Sequence, residues 1–284
     1  MTARDLSFDC MGTTVRLLTD QAEECRTFLE HFDATLSRFR PAGELCRLNA
    51  DPREEVPVSL LLHAAIAAGL RAAELTGGLV DPTLVDQLEA NGYDRTRRAP
   101  ELALERALQA APARRPAKPH PDEPWRRIVL TEGTVRRPPG LRLDTGGSGK
   151  GLAADLLAQK LDGRYAIDCG GDIRVGGAFD IEVRHPLTGR NFHTLHVEDQ
   201  AVATSGIDTR LWEHDGAPRH HLLDPSTGRP AWTGLISVTA LAPTALEAET
   251  RAKAALLSGP RDAQRWLKEH GGLLVTDDGD THFV

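Results

Sequence analysis

Nowhere in the sequence do ~18 apolar residues run uninterrupted, so it offers no candidate for a membrane-spanning helix. The opening Met1-Thr2-Ala3-Arg4-Asp5 lacks the apolar stretch of a secretory signal, and a cytoplasmic protein is expected. Cysteine is scarce: Cys10, Cys25, Cys46 and Cys169 form no C-x-x-C pair and show no metal-ligand spacing. Neither a zinc site nor a disulfide framework is indicated, and reduced thiols are expected. Positive charge is also short, with 34 Lys+Arg against 41 Asp+Glu. A net charge of −7 has the wrong sign for gripping a nucleic-acid backbone over a broad face. Internal repeats and low-complexity segments are missing as well, which excludes solenoids and fibres.

What remains is an ordinary globular composition: 284 residues, 40% hydrophobic and 26% charged. Residues 95–137 stand out with 11 Lys+Arg against 5 Asp+Glu, and they read as a solvated loop face. The Pro-rich stretch at about 111–124 can hold neither helix nor central strand and reads as an exposed loop.

Apolar periodicity predicts a strand over 6–18, interrupted at Met11-Gly12, then a helix over 21–40 with Phe28, Phe32, Leu36 and Phe39 on one face. A second helix runs from an N-cap at Ser59 to the stop at Gly77-Gly78. Further on, short strands at 127–130 and 141–143 precede a helix over 149–161 and a strand at 165–168. β-Runs follow at 179–183, 193–197, 201–204 and 235–241. Helices over 244–257 and 263–270 come next, and strands at 272–276 and 281–284 close the chain. Strands and helices mix without strict βαβ alternation, which points to an α+β fold.

Five segments could carry chemistry. Asp144–Gly151 (DTGGSGKG) follows a strand and opens a helix, the place where backbone N–H groups and the helix dipole make an anion site. A P-loop would need glycine in place of Asp144 and Ser or Thr in place of Gly151, and the segment fails at both ends. Asp168–Arg174 (DCGGDIR) has two adjacent glycines, suited to close approach of a planar ligand or to a tight turn between strands. The run Val202–Gly206 (VATSG) comes next. His220-His221 leads into Asp224-Pro225, as metal ligand, acid–base group or ordered turn. Glu249 and Lys253 are four apart on a predicted helix and by themselves read as a surface ion pair.

Taken in order, these segments resemble the ApbE-type flavin transferases, a family described as FAD:protein FMN transferases. The resemblance spans almost the whole chain. It rests on Met11-Gly12-Thr13, on Phe39-Arg40-Pro41 with Glu44-Leu45-Cys46-Arg47-Leu48-Asn49, on Gly78-Leu79-Val80-Asp81-Pro82-Thr83, and on Asp144–Gly151, Asp168–Arg174, Ala203–Gly206 and His221–Pro225. It implies a single α+β, T-fold-like domain over 1–284, with a mixed or antiparallel sheet and flanking helices. It also implies flavin contacts from Met11, Phe39, Leu79, Val80, Asp81, Asp144, Lys150 and Leu222. The implied reaction splits the FAD pyrophosphate, attaches FMN through a phosphoester to a threonine or serine of a target flavoprotein, and releases AMP.

The resemblance further implies Mg²⁺ held on the late helix and by a carbonyl at Gly147. The matching positions are Glu249, for the family aspartate, and Ala252-Lys253, with lysine for the family threonine. Glu249 suits Mg²⁺, whereas a protonated lysine cannot ligate it. His221 is the candidate base and Lys253 the second candidate catalytic residue. The lysine leaves three outcomes open: a transferase in which Lys253 neutralises the pyrophosphate, a FAD-binding protein without turnover, and a pyrophosphatase releasing FMN and AMP.

Overall fold

The computed structural model describes residues Arg4–Val284. Its centre is an eight-stranded sheet of β1 (Arg4–Cys10), β2 (Thr13–Thr19), β3 (Tyr165–Asp168), β4 (Asp172–Gly176), β5 (Ala201–Gly206), β6 (Leu235–Ala242), β7 (Gly272–Thr276) and β8 (Thr281–Phe283). Strands neighbour one another in chain order, and every pair is antiparallel. The chain folds as an α+β structure. Gly170-Gly171, both in the left-handed region, form the tight turn between β3 and β4.

The connection from β2 to β3 carries α1 (Ala22–Leu36), α2 (Glu44–Ala50), α3 (Leu60–Thr76), α4 (Val85–Ala90), α5 (Leu104–Ala110) and α6 (Gly149–Ala158). Between β6 and β7 lie α7 (Ala245–Ser258) and α8 (Pro260–Leu267). The main core joins Val15 and Leu17 of β2 and Ile167 of β3 to α1, α3 and α6 through Leu29, Phe32, Leu62, Ala153 and Leu157. Helix α7 packs against α6, β5 and β6. β6 is buried along almost its whole length, the pattern of a strand covered on both faces.

Local chemistry explains several boundaries. Ser59 caps α3 by accepting from Leu62 N at 3.2 Å, and Gly77 closes the helix at φ 59°. Helix α1 stops at Leu36 instead of reaching residue 40: Ser37 turns extended and its hydroxyl accepts from Phe39 N at 3.3 Å. Pro41 further disfavours helix at Arg40, so Phe39 lies in the following turn. Residues 141–143 form no strand, because the Asn49 side chain meets both backbone groups of Leu143 at 2.8 Å. A 3-10 turn at Pro124–Arg127 shifts the next strand to Val129–Thr131. Helix α8 starts early because proline suits its first position.

The Pro-rich stretch lies mostly exposed, pinned by Arg115 N to Trp232 O and Ala117 N to Leu257 O. The basic stretch is not uniformly solvated: Arg97 and Arg137 are buried, and Arg137 donates to Asp51 O at 2.9 Å and to Leu48 O. No helix of the described residues is long and apolar enough to cross a membrane.

Candidate active site

A cavity of about 390 Å³ opens where the β1–β2 turn, the chain after α1, the turn after α3, the start of α6 and the segment after residue 220 converge. All eight residues expected to contact flavin line it: Met11, Phe39, Leu79, Val80, Asp81, Asp144, Lys150 and Leu222. Gly147, His221 and Lys253 line it too. Glu249 lies beneath its floor, fully buried, and Ala252 is packed into the apolar core.

The strand-to-helix segment is held tightly. Asp144 N donates to Pro82 O at 2.8 Å, and Asp144 Oδ1 accepts from Gly146 N at 2.9 Å. The N-terminus of α6 faces the cavity without a side-chain cap. A Cβ at Gly151 would stand 2.6 Å from Ala245 O, so the Ser or Thr of a P-loop has no room. Beside this segment, Arg38 Nε lies 3.6 Å from Asp144 Oδ2; the guanidinium also lies over Phe39 (4.1 Å) and Tyr93 (4.7 Å) and donates to Tyr93 O at 2.6 Å. Tyr93 in turn stacks on the buried Trp212 at 5.3 Å.

Asp81 presents a carboxylate to this space. Its Oδ1 accepts from the N–H and hydroxyl of Thr83, at 2.8 and 2.6 Å, while its Oδ2 is buried without a partner. Burial pushes its carboxyl up from the usual range.

Four ionisable side chains, two acidic and two basic, alternate at the floor. Lys253 Nζ donates to Glu249 Oε1 at 2.8 Å, and Gly151 N donates to Glu249 Oε2 at 2.9 Å. Lys150 Nζ donates to the buried Asp172 and lies 3.9 Å from Glu249 Oε1. Burial opposes the charge on Glu249, but Lys253 and Lys150 hold its carboxyl below the usual range. Asp172 is pushed up to about 7 by burial and by Glu249. Lys150 is raised: burial acts against its charge, and Asp172 and Glu249 outweigh that. The helix rule for residues four apart predicted an exposed Glu249–Lys253 pair; α6 and the sheet bury it.

The paired histidines separate in role. His220 is fully buried against Trp232, and burial drives it down to about 3. His221 faces the cavity with Nδ1 buried and unpartnered. Burial, then Arg210, His220, Lys253 and Lys150, push it well below the usual imidazole range, so the ring is neutral. Arg38, Tyr93, Asp172 and Arg210 were not singled out from sequence. Asp172 and Arg210 lie in or just after quoted motifs, while Tyr93 carried no signal.

The residues present do not fit a resident divalent cation. Both oxygens of Glu249 are engaged, Asp172 is held by Lys150, and Ala252 offers no side-chain donor. The Lys253 ammonium sits 2.8 Å from Glu249 Oε1 and that of Lys150 3.9 Å, so a divalent ion there would stand against two ammonium groups.

The chain resembles known proteins along most of its length. The model of the ApbE family matches residues 11–275. The FAD:protein FMN transferase of Treponema pallidum (strain Nichols) is 30% identical, over 88% of this chain and 75% of that protein. Its namesake from Escherichia coli (strain K12) is 25% identical, over 95% of this chain and 80% of that one. Among solved structures, the ApbE protein of Thermotoga maritima superposes with a TM-score of 0.81 at 26% identity, covering 99% of this chain and 97% of its own. The flavin transferase ApbE of Vibrio cholerae shares the fold, with a TM-score of 0.77 at 22% identity over 99% and 96% of the two chains. This chain belongs to the ApbE family.

Proposed function

We propose that this protein is a FAD:protein FMN transferase that splits the FAD pyrophosphate and attaches FMN through a phosphoester to a threonine or serine of a target flavoprotein. The observation that carries this reading is the convergence of the eight flavin-contact positions on one cavity floored by paired lysines and carboxylates. Relatives bearing that name, matched over most of this chain, support it.

Met11, Phe39, Leu79, Val80 and Leu222 supply the apolar and aromatic surface that a planar ring system needs. Asp81 and Asp144 accept from ring N–H or ribityl hydroxyl groups; the unpartnered Oδ2 of Asp81 suits that role. Lys150, Arg210 and the N-terminus of α6 meet the pyrophosphate. In the transfer step the acceptor hydroxyl oxygen forms a bond to the phosphorus on the FMN side. The bond from that phosphorus to the bridging oxygen breaks, and its electron pair leaves on AMP. The hydroxyl proton passes to the neutral His221 imidazole.

The chain acts as one unit over 1–284, and the Pro-rich loop takes no part in the chemistry. No Mg²⁺ is assigned to Gly147, Glu249 and Ala252. The cytoplasm is the assigned compartment, where four unpaired cysteines stay reduced.

The test is incubation with FAD and an acceptor flavoprotein domain bearing a threonine, read by intact mass and by AMP release. One FMN on the acceptor per AMP is expected. Free FMN with AMP would make the protein a pyrophosphatase. Intact FAD, bound and unreleased against several acceptors, would make it a binding protein only.

A further inference from the structure

We propose that the Lys253 ammonium, seated on Glu249, does the work of a divalent cation at the FAD pyrophosphate, so that transfer proceeds without a metal. The inference rests on the transferase reading above.

Phosphoryl transfer needs positive charge against the oxygens of the transferring group, and a bound metal is the common source. Here the acidic group that would hold a metal is spent. Glu249 is fully buried, with one oxygen fixed by Gly151 N and the other by Lys253 Nζ. Lys253 also lines the cavity, so its head group bridges the buried carboxylate and the ligand space. An ammonium has three N–H donors; one is given to Glu249, which leaves two for phosphate oxygens. Glu249 thereby fixes the position of a cation that would otherwise end a flexible four-carbon stem.

The neighbouring charges fit the same arrangement. Lys150, on the first turn of α6, is bound to Asp172 and lies 3.9 Å from Glu249, so two ammonium groups flank one carboxylate. Arg210 lines the same cavity and acts on both His221 and Lys150 as a nearby like charge. A divalent ion added to this group would have to displace Lys253 from Glu249 while facing Lys150. A pyrophosphate entering it meets three cations already in place.

The test uses the full chain, first stripped with EDTA, and two readouts: FMN transferred to the acceptor, and FAD affinity by flavin fluorescence. Transfer in EDTA should equal transfer in millimolar Mg²⁺ within about twofold, and FAD affinity should be indifferent to Mg²⁺. Replacing the lysine by a neutral residue removes a charge-assisted contact and should weaken FAD binding about 10- to 100-fold. The double variant Glu249→Gln with Lys253→Gln keeps the buried pair neutral, so folding does not decide the outcome. Lys253→Thr should acquire Mg²⁺ dependence, seen both in FAD affinity and as a Mg²⁺-dependent rise in melting temperature absent from the parent protein.

Transfer by the parent protein that falls about tenfold in EDTA and returns with Mg²⁺ would overturn the inference. So would FAD affinity that tightens about tenfold with Mg²⁺. If no FMN is transferred under any condition, the transferase reading fails instead, and FAD affinity still decides the role of Lys253.

Discussion

Gly151 of α6 and Ala245 of α7 are in backbone contact: a Cβ on Gly151 would lie 2.6 Å from Ala245 O. The same glycine gives its N–H to Glu249, so one close approach sets both the helix packing and the position of the buried carboxylate. Asp155 reinforces the junction by accepting from Ala245 N (2.8 Å) and Leu246 N (2.9 Å) at the start of α7.

Gly151→Ala should therefore force the helices apart, at a cost of about 1–3 kcal/mol. Urea unfolding checks the stability. Glu249 would lose its backbone donor, so FAD affinity should fall with it. Gly163→Ala is a control, since nothing lies within 4 Å of a Cβ there; its effect comes only from the positive φ of 71°.

Asp172 makes stability depend on pH in a distinctive direction. Its carboxyl is raised from 3.8 to about 7 by burial and the nearby Glu249, so the folded state holds the proton more tightly than the unfolded chain. The stability this group contributes is fully present below its unfolded value and is lost as pH rises through about 7. Denaturant titrations between those values should show a falling contribution of up to one proton, ~1.4 kcal/mol per pH unit. Asp172→Asn should flatten that slope whatever it does to overall stability. An unchanged slope would refute the assignment.

Much of the fold and most of the cavity wall were legible in sequence because the informative residues are local. Turn glycines, the Ser59 cap and the Asp-Pro turns state their conformations within a few positions. The quoted segments lie on the turns and helix starts that converge on one cavity. What could not be read depends on distant packing. Arg38 and Tyr93 meet across 55 positions. The 141–143 run has strand-like composition, but Asn49 takes its backbone hydrogen bonds from 94 positions away. Spacing placed Glu249 beside Lys253, yet only the fold covers them, and that cover turns a surface pair into the cavity floor.

Lys253→Met tests the floor directly. It leaves Glu249 buried with Lys150, at 3.9 Å, as its remaining cationic partner, and removing one partner of such a pair costs about 3–5 kcal/mol. Much of the loss should be recovered when Glu249→Gln is added, because the uncompensated charge goes with it. A thermal-denaturation double-mutant cycle would show this as strong coupling. Simple additivity would mean that the two side chains do not act as a pair.

His221 ties the electrostatics to the chemistry. Burial and the surrounding cations Arg210, Lys253 and Lys150 hold its imidazole well below the usual range. It is then free to accept a proton, but its charged form is strongly disfavoured. Pyrophosphate oxygens placed among the same cations offset their field, so FAD binding should raise the His221 pKa, while burial, the larger cause, still holds it below the usual range. In the proposed role of base, His221 would accept the proton more readily once substrate is in place. NMR titration of the imidazole with and without FAD should show an upward move on binding. His221→Asn should lower kcat for FMN transfer by about 10²–10⁴ while leaving FAD affinity within a few-fold. Because the folded protein resists protonating His221, this residue also withdraws stability as pH falls below the usual imidazole value, and bound FAD should relieve that loss. A His221 resonance indifferent to FAD, with transfer unaffected by the asparagine, would remove it from the proton path.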